Sequence, residues 1–141
     1  MKKIVMISAL MIGAAGFYQC SPSADKKAEE AREEVQRDIR KEKEEVTKEL
    51  RRLRDNINSD LDKLSERLET AAEKSRADVE ELRDNLTDQR VKVEQALDAI
   101  ESSSDNTWDD IQQNAKNTAN DVRVETERLG ERLKAVFNKE N

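Results

Sequence analysis

The chain has 141 residues, of which 26 are Lys or Arg and 32 are Asp or Glu, so its formal net charge is -6 and its mean hydropathy is -0.99. Charged residues make up 41% of the chain and aromatic residues 3%, which excludes the thick apolar interior of an ordinary globular domain. The acidic balance argues against a nucleic-acid partner, because phosphate backbones select clustered Lys and Arg.

Residues 1–19 are predicted to be an export signal peptide. Lys2 and Lys3 precede an apolar run from Ile4 to Tyr18, which is the order of a charged region and then an apolar region in such signals. The run is shorter than the roughly 20 apolar residues of a membrane-spanning helix. We therefore expect cleavage and a place in the cell envelope.

Cys20 is the only cysteine and directly follows the apolar run, so residues 20–24 are predicted to be a lipidation site and a flexible tether. Lipidation of Cys20 would give a membrane-anchored lipoprotein that faces the periplasm. The preceding residues 17–19, Phe-Tyr-Gln, differ from the small residues typical of a lipoprotein signal. Cleavage after the small residues 14–16 is the alternative, and it would give a soluble periplasmic or secreted protein.

Residues 25–101 are predicted to form one long charged amphipathic helix, since the chain after Pro22 has no further proline and a single glycine, Gly130. Apolar residues recur every three or four positions, with a mean separation of about 3.6 residues, which favours an eleven-residue repeat over strict heptads. Polar residues interrupt this seam at Ser75, Arg90, Ser104, Thr118 and Thr126. The predicted seam consists of Val46, Leu50, Leu53, Ile57, Leu61, Leu64, Leu68, Val79, Leu82, Leu86, Val93, Leu97, Ile100, Trp108, Ile111, Val122, Leu129 and Leu133.

Residues 102–107 are predicted to be a soft hinge, bent rather than folded back, because Ser, Asp and Asn side chains compete with the helix for backbone hydrogen bonds. Thr107 and Asp110 have the spacing of a capping box, which starts a C-terminal amphipathic helix over 108–139. The predicted fold class is therefore all-α. Long amphipathic helices would form an elongated coiled coil or a helical hairpin without a compact globular core.

The stretch from Ser104 to Ile111 reads Ser-Asp-Asn-Thr-Trp-Asp-Asp-Ile. It resembles the Ser-Gly-Asp-Ala-Trp-Glu-Asp-Leu motif of small bacterial coiled-coil proteins that are grouped as a stress-response family. The similarity extends over residues 60–137. The resemblance implies a soluble helical protein that is linked to stress by name, without an established active site.

No catalytic, metal or cofactor site is expected, because the chain lacks histidine and its one cysteine lies at the end of the leader. We predict a non-enzymatic exported rod that is structural, stress-related or self-associating. Its partners would be a second copy or another helical envelope protein, and the membrane through an N-terminal lipid, with no nucleic acid or small-molecule substrate. The alternative is a binder of lipid surfaces, similar to apolipoproteins and dehydration-protective proteins, which also use eleven-residue repeats.

Overall fold

A computed structural model of the protein describes the backbone of residues 22–138, and the side chains from residue 26 onward except that of Lys74. Three α-helices follow one another: α1 is Pro22–Thr70, α2 is Glu73–Ser102 and α3 is Trp108–Asn138. Within residues 22–138 there is no strand, so the all-α prediction is confirmed. The predicted signal peptide and the lipidation site at Cys20 lie outside the described residues. Residues 22–24 of the predicted flexible tether belong to α1, so the tether prediction is wrong for that part.

The three helices pack as a bundle in which every pair is in contact. Lys43 Nζ donates a hydrogen bond to the carbonyl oxygen of Ser103 at 2.9 Å, so the end of α2 lies beside the middle of α1. Arg132 and Glu81 form an ion pair at 3.1 Å between the end of α3 and the start of α2. Helix α2 therefore runs antiparallel to both α1 and α3. The architecture is a three-helix bundle rather than a single elongated coiled coil.

One continuous apolar core runs through the bundle, although the composition predicts no compact core. Three narrow stripes meet at one axis, so each helix needs only one apolar residue per layer. Most of the predicted seam is buried there: Val46, Leu50, Leu53, Ile57, Leu64, Val79, Leu82, Leu86, Val93, Ile100, Trp108, Val122, Leu129 and Leu133. The remaining seam residues, Leu61, Leu68, Leu97 and Ile111, are partly buried against the same core.

The spacing of the buried residues in α2 differs from the predicted eleven-residue repeat. Successive buried positions alternate in steps of three and four residues, which is the heptad spacing of left-handed helix pairs. The eleven-residue prediction is therefore wrong for α2, because the mean step of about 3.6 was taken across two turns as if they were helical. The buried positions are Val79, Leu82, Leu86, Gln89, Val93, Ala96 and Ile100.

The single helix predicted over 25–101 is divided at Ala71 and Ala72. Ala72 has an extended backbone, with φ -61° and ψ 149°, and its carbonyl oxygen accepts the first hydrogen bonds of α2. Alanine is the best helix former, so local propensity does not cause this turn. Its cause is tertiary: between Leu68 and Val79 there is no large apolar side chain, so a reversal here costs no core contact and brings the stripes of α1 and α2 together.

The second interruption lies at residues 103–107, where the sequence predicts a soft hinge. The chain reverses its direction here instead of bending, because α3 returns along α2. Reversal buries Trp108 and the stripe of α3 against the core, which a bent continuous helix would leave exposed.

Candidate functional site

The first part of α1 extends beyond the core of the bundle. Every side chain from Lys26 to Asp38 is exposed, and Val35 is 57% exposed. We call residues 26–38 the arm. At about 1.5 Å per residue, its thirteen positions span roughly 20 Å. The arm precedes the first buried residue, Val46, and follows the segment that holds Cys20.

Trp108 anchors the end of the bundle from which the arm extends. It is 0% exposed, and its indole Nε1 donates a hydrogen bond to Glu42 Oε2 at 3.0 Å. Gln112 Nε2, one turn further along α3, donates to the same carboxylate oxygen at 2.7 Å. A buried indole N–H without an acceptor is costly, so Glu42 satisfies the one polar atom of the largest side chain in the core.

Lys43 makes a second connection at the same end. Besides its hydrogen bond to Ser103, its ammonium lies 5.4 Å from the centroid of the Trp108 ring. A cation over an indole face is attracted by about 0.5–2 kcal/mol, depending on exposure. Two adjacent residues of α1 therefore hold both the end of α2 and the start of α3, and we call Glu42, Lys43, Ser103, Trp108 and Gln112 the clamp.

The turn at residues 103–107 is stabilised by its own hydroxyl groups. The main-chain N–H of Ser104 donates to Thr107 Oγ1 at 3.0 Å, and the N–H of Thr107 donates to the carbonyl oxygen of Ser104 at 3.1 Å. Ile111 N–H donates to the carbonyl oxygen of Thr107 at 3.2 Å, which starts α3. Thr107 thus precedes the helix as the capping-box spacing predicts, but its hydroxyl turns back towards Ser104. The motif from Ser104 to Ile111 forms a helix–helix corner.

The core also contains residues that the predicted seam leaves out. Ala96, Ala115 and Ala119 are buried, and Gln89 is 7% exposed. An apolar pattern built on large side chains misses small alanines and a glutamine, although the heptad spacing of α2 would have indicated Gln89 and Ala96. Lys92 Nζ donates to Gln89 Oε1 at 3.4 Å, which is a weak hydrogen bond.

Two of the predicted polar interruptions of the seam place buried polar atoms in the bundle. Thr126 Oγ1 and Arg90 Nε are buried without a hydrogen-bond partner, and Arg90 also lies 3.7 Å from the Glu94 carboxylate. A buried polar atom that lacks a hydrogen bond lowers stability. The seam position of α2 here is Gln89, whereas the side chain of Arg90 is 38% exposed, so the predicted weakening of the seam by these residues stays a prediction.

Metal binding, membrane crossing and small-molecule binding would need, respectively, a cluster of metal ligands, a long apolar helix and a groove among residues 22–138. Among residues 22–138 no group of three or more His, Cys, Asp or Glu is placed to hold a metal ion. No helix in this part of the chain is long and apolar enough to cross a membrane. A groove of about 370 Å³ lies between α2 and α3, with small side chains such as Ala99 and Thr118 along it.

The groups with shifted pKa values lie on the surface, and each shift takes the pKa further from neutral pH. The hydrogen bond from Arg128 lowers the pKa of Glu125 below 4.5. The hydrogen bond to Glu131 raises the pKa of Lys134 above 10.5. Both pairs are three residues apart on α3, so they stabilise a helix surface. Neither shift prepares a group for proton transfer near neutral pH.

Comparison of the chain with known protein families, with curated proteins and with solved structures finds no match. The likeness of residues 104–111 to a stress-response motif therefore remains a resemblance.

Proposed function

We propose that the protein is a non-enzymatic module of the cell envelope, in which a lipid on Cys20 tethers a three-helix bundle and the arm separates the two. The observation that carries the proposal is the position of the arm. It is an exposed helix that lies between Cys20 and the first layer of the core. Its dense charge keeps it solvated, and the clamp fixes its direction relative to the bundle.

The arm is suited to be a spacer because its helix is continuous with α1. The segment from Pro22 to Val46 belongs to one helix without a break. A helical spacer transmits orientation as well as distance, whereas a flexible linker transmits neither. In the proposed arrangement the bundle stands clear of the membrane surface by a distance of tens of ångströms. Its partners are then a second copy or another helical protein of the envelope. The resemblance of residues 104–111 to a stress-response motif supports a role under stress.

Metabolic labelling with palmitate tests the tether. The wild-type chain and a Ser21→Ala control, expressed in bacteria, should both incorporate the label, whereas Cys20→Ala should incorporate none. Circular dichroism should show equal helicity for the three chains, because residues 20 and 21 precede the helices that the structure describes, which begin at Pro22. If the wild-type chain is exported without label, the tether is absent and the proposal fails.

Binding to lipid surfaces is the competing function. It can be tested because the apolar stripe is buried in the core and must be exposed before it contacts lipid. The stripe that would contact lipid contains Leu50, Ile57 and Trp108, each 0% exposed, so the helices must separate before it can bind. Trp108 is the only tryptophan, so its emission reports that separation directly. We expect no change in Trp108 emission when anionic or neutral vesicles are added. A shift that saturates with lipid would favour the competing function.

A further inference from the structure

We propose that the protein forms a two-fold dimer by exchange of α1, in which α1 and α2 of each chain join into one helix through Ala71 and Ala72. This inference goes beyond the proposed function and does not depend on the tether at Cys20. It rests on the register of buried residues in two helices, on the composition of the turn between them, and on which contacts the exchange keeps.

The register of α1 and α2 is that of one continuous helix. Each buried apolar residue of α1 has a buried counterpart 36 residues later in α2. Thirty-six residues correspond to about ten turns of a straight helix at 3.6 residues per turn, and they exceed five heptads by one residue. Both members of a pair would therefore lie on the same side of a joined helix that runs straight, without a supercoil, across the turn. The pairs are Val46 with Leu82, Leu50 with Leu86, Leu53 with Gln89, Ile57 with Val93, and Leu64 with Ile100.

A helical hairpin does not require this agreement. The two helices of a hairpin face each other across the turn, and a turn of any length can set the rotation of the second helix. A joined helix requires it, since both halves must present their buried residues to the same partner. Because the buried residues of both helices repeat every seven positions, the five pairs express a single register, and that register is the one that a straight joined helix needs.

The turn between α1 and α2 is made of residues that favour a helix. Ala71 and Ala72 have the highest helix propensity of any residue type, and the side chain of Ala72 makes no capping hydrogen bond. The hydroxyls near the turn bond to backbone oxygens three residues earlier, Thr70 to Arg67 and Ser75 to Ala72, each at 3.3 Å. Such backward bonds are compatible with a helix that continues.

The turn between α2 and α3 has the opposite character. The main-chain N–H of Ser104 donates to Thr107 Oγ1 at 3.0 Å, and the hydroxyl groups of the two residues lie 3.1 Å apart. These bonds stabilise a reversal and would be lost in a continuous helix. Exchange is therefore expected at Ala71–Ala72, and the corner at 103–107 is expected to persist.

Exchange preserves the packing while changing which chain supplies α1. The clamp contact of Glu42 with Gln112 and the contact of Lys43 with Ser103 would form between two chains. The ion pair of Glu81 with Arg132 joins α2 and α3, so it would stay within one chain. A joined helix over 22–102 would extend roughly 120 Å. Two such helices would run antiparallel about a two-fold axis at the turn, which is the geometry of a domain swap.

Oligomeric state after refolding tests the proposal. The full-length Cys20→Ser chain is refolded from denaturant in non-ionic detergent at about 10 μM and at about 1 mM. These concentrations are chosen because exchange between chains competes with closure inside one chain, which has an effective concentration in the millimolar range. Light scattering after size exclusion should show a dimer fraction that rises severalfold with concentration. A chain that refolds only as a monomer at both concentrations overturns the proposal.

Ala72→Pro distinguishes the joined helix from the turn, because it should disrupt the first and leave the second intact. The φ of -61° at Ala72 already suits proline, whereas proline inside a continuous helix breaks it. We expect the dimer fraction to fall at least about tenfold, while helicity and Trp108 emission match those of the parent. The Ala71→Gly, Ala72→Gly double variant should have a dimer fraction between that of the parent and that of Ala72→Pro, since glycine weakens a helix less than proline does. A dimer unaffected by Ala72→Pro contradicts exchange.

Cross-linking identifies the exchanged helix even if Ala72→Pro does not fold. A short bis-maleimide joins cysteines introduced in pairs into the same Cys20→Ser chain. In the isolated dimer, Glu42→Cys with Gln112→Cys should link two chains, whereas Glu81→Cys with Arg132→Cys should link within one chain. If both pairs close within single chains, the dimer is an ordinary association of intact bundles and the proposal is wrong.

Discussion

Trp108 Nε1 donates a hydrogen bond to Glu42 Oε2 at 3.0 Å, across 66 positions of the sequence. The first residue of α3 is thereby fixed to α1 at the level where the exposed arm meets the core. Stability of this junction should depend on one carboxylate among many on the surface.

Glu42→Ala should lower the free energy of unfolding by about 1–3 kcal/mol, because it leaves the buried indole N–H of Trp108 without an acceptor. Glu42→Gln keeps an acceptor oxygen and should cost less. Chemical denaturation monitored by circular dichroism gives both values. Glu44→Ala, which removes an exposed carboxylate two residues away, is the control and should change stability by less than about 0.5 kcal/mol. Equal losses for Glu42→Ala and Glu44→Ala would mean that the hydrogen bond contributes nothing specific.

Two valines eleven positions apart on α1 should respond differently to truncation. Val46 is 4% exposed, so Val46→Ala should cost about 2 kcal/mol in lost burial and cavity formation. Val35 lies in the arm, and Val35→Ala should change stability by less than about 0.5 kcal/mol. Denaturant midpoints of the two variants, compared at constant slope, provide the measurement. A large loss for Val35→Ala would show that the arm is packed and is not a spacer.

Gln89→Leu should raise the free energy of unfolding by about 1 kcal/mol. The side chain is buried at a heptad position and is held only by the weak hydrogen bond from Lys92, so an apolar side chain of similar size gains burial at little cost. Gln113→Leu, at an exposed position of α3, is the matched control and should be close to neutral. Thermal unfolding of both variants tests this, and a lower midpoint for Gln89→Leu would contradict it.

The pair Glu125 and Arg128 should make a small contribution that depends on pH. Because the pKa of Glu125 is lower in the folded chain, the pair stabilises the fold above pH 4.5, and that contribution is lost as the pH falls through the folded pKa. Its size should be small, because both side chains face solvent and the ion pair is screened. Glu125→Gln should therefore be less stable than the parent at pH 7, and the gap should close at pH 3.

Denaturation curves at both pH values measure this gap. Glu127→Gln, another exposed carboxylate on α3, is the control and should show no comparable closing of the gap. A constant difference between Glu125→Gln and the parent from pH 7 to pH 3 would show that the hydrogen bond, and not the charge, carries the effect.

The residues of the core and the interruption near 103–107 could be predicted from the sequence, because both are local signals. Large apolar side chains at helical spacing mark a buried face wherever that face is packed. Ser104 and Thr107 compete with the helix through their own hydroxyl groups, and they do so in the structure. These inferences do not depend on which helix packs against which.

The turn at Ala71–Ala72 could not be predicted in the same way. Alanine favours a helix, and the apolar stripe keeps its phase across the turn, so every local signal indicates continuity. The choice between one long helix and a reversal depends on whether α1 finds a partner within the same chain. The outcome depends on the packing of the whole core and not on local sequence. For the same reason, the proposed exchanged dimer and the bundle would share nearly all their contacts.

The clamp was equally hidden from the sequence. With 32 Asp and Glu residues in the chain, nothing in the pattern distinguishes Glu42 as the partner of Trp108. Only the antiparallel arrangement of α2, which brings α3 back to the level of Glu42, makes the pairing possible.

The mass of the mature N-terminal peptide tests the tethered bundle most directly. The protein is purified from the membrane fraction of bacteria that express the full chain, digested, and analysed by mass spectrometry. We expect a peptide that begins at Cys20 and carries a diacylglyceryl modification. A mature chain that begins at Phe17 with an unmodified Cys20 would contradict it, since the arm would then have no anchor from which to space the bundle.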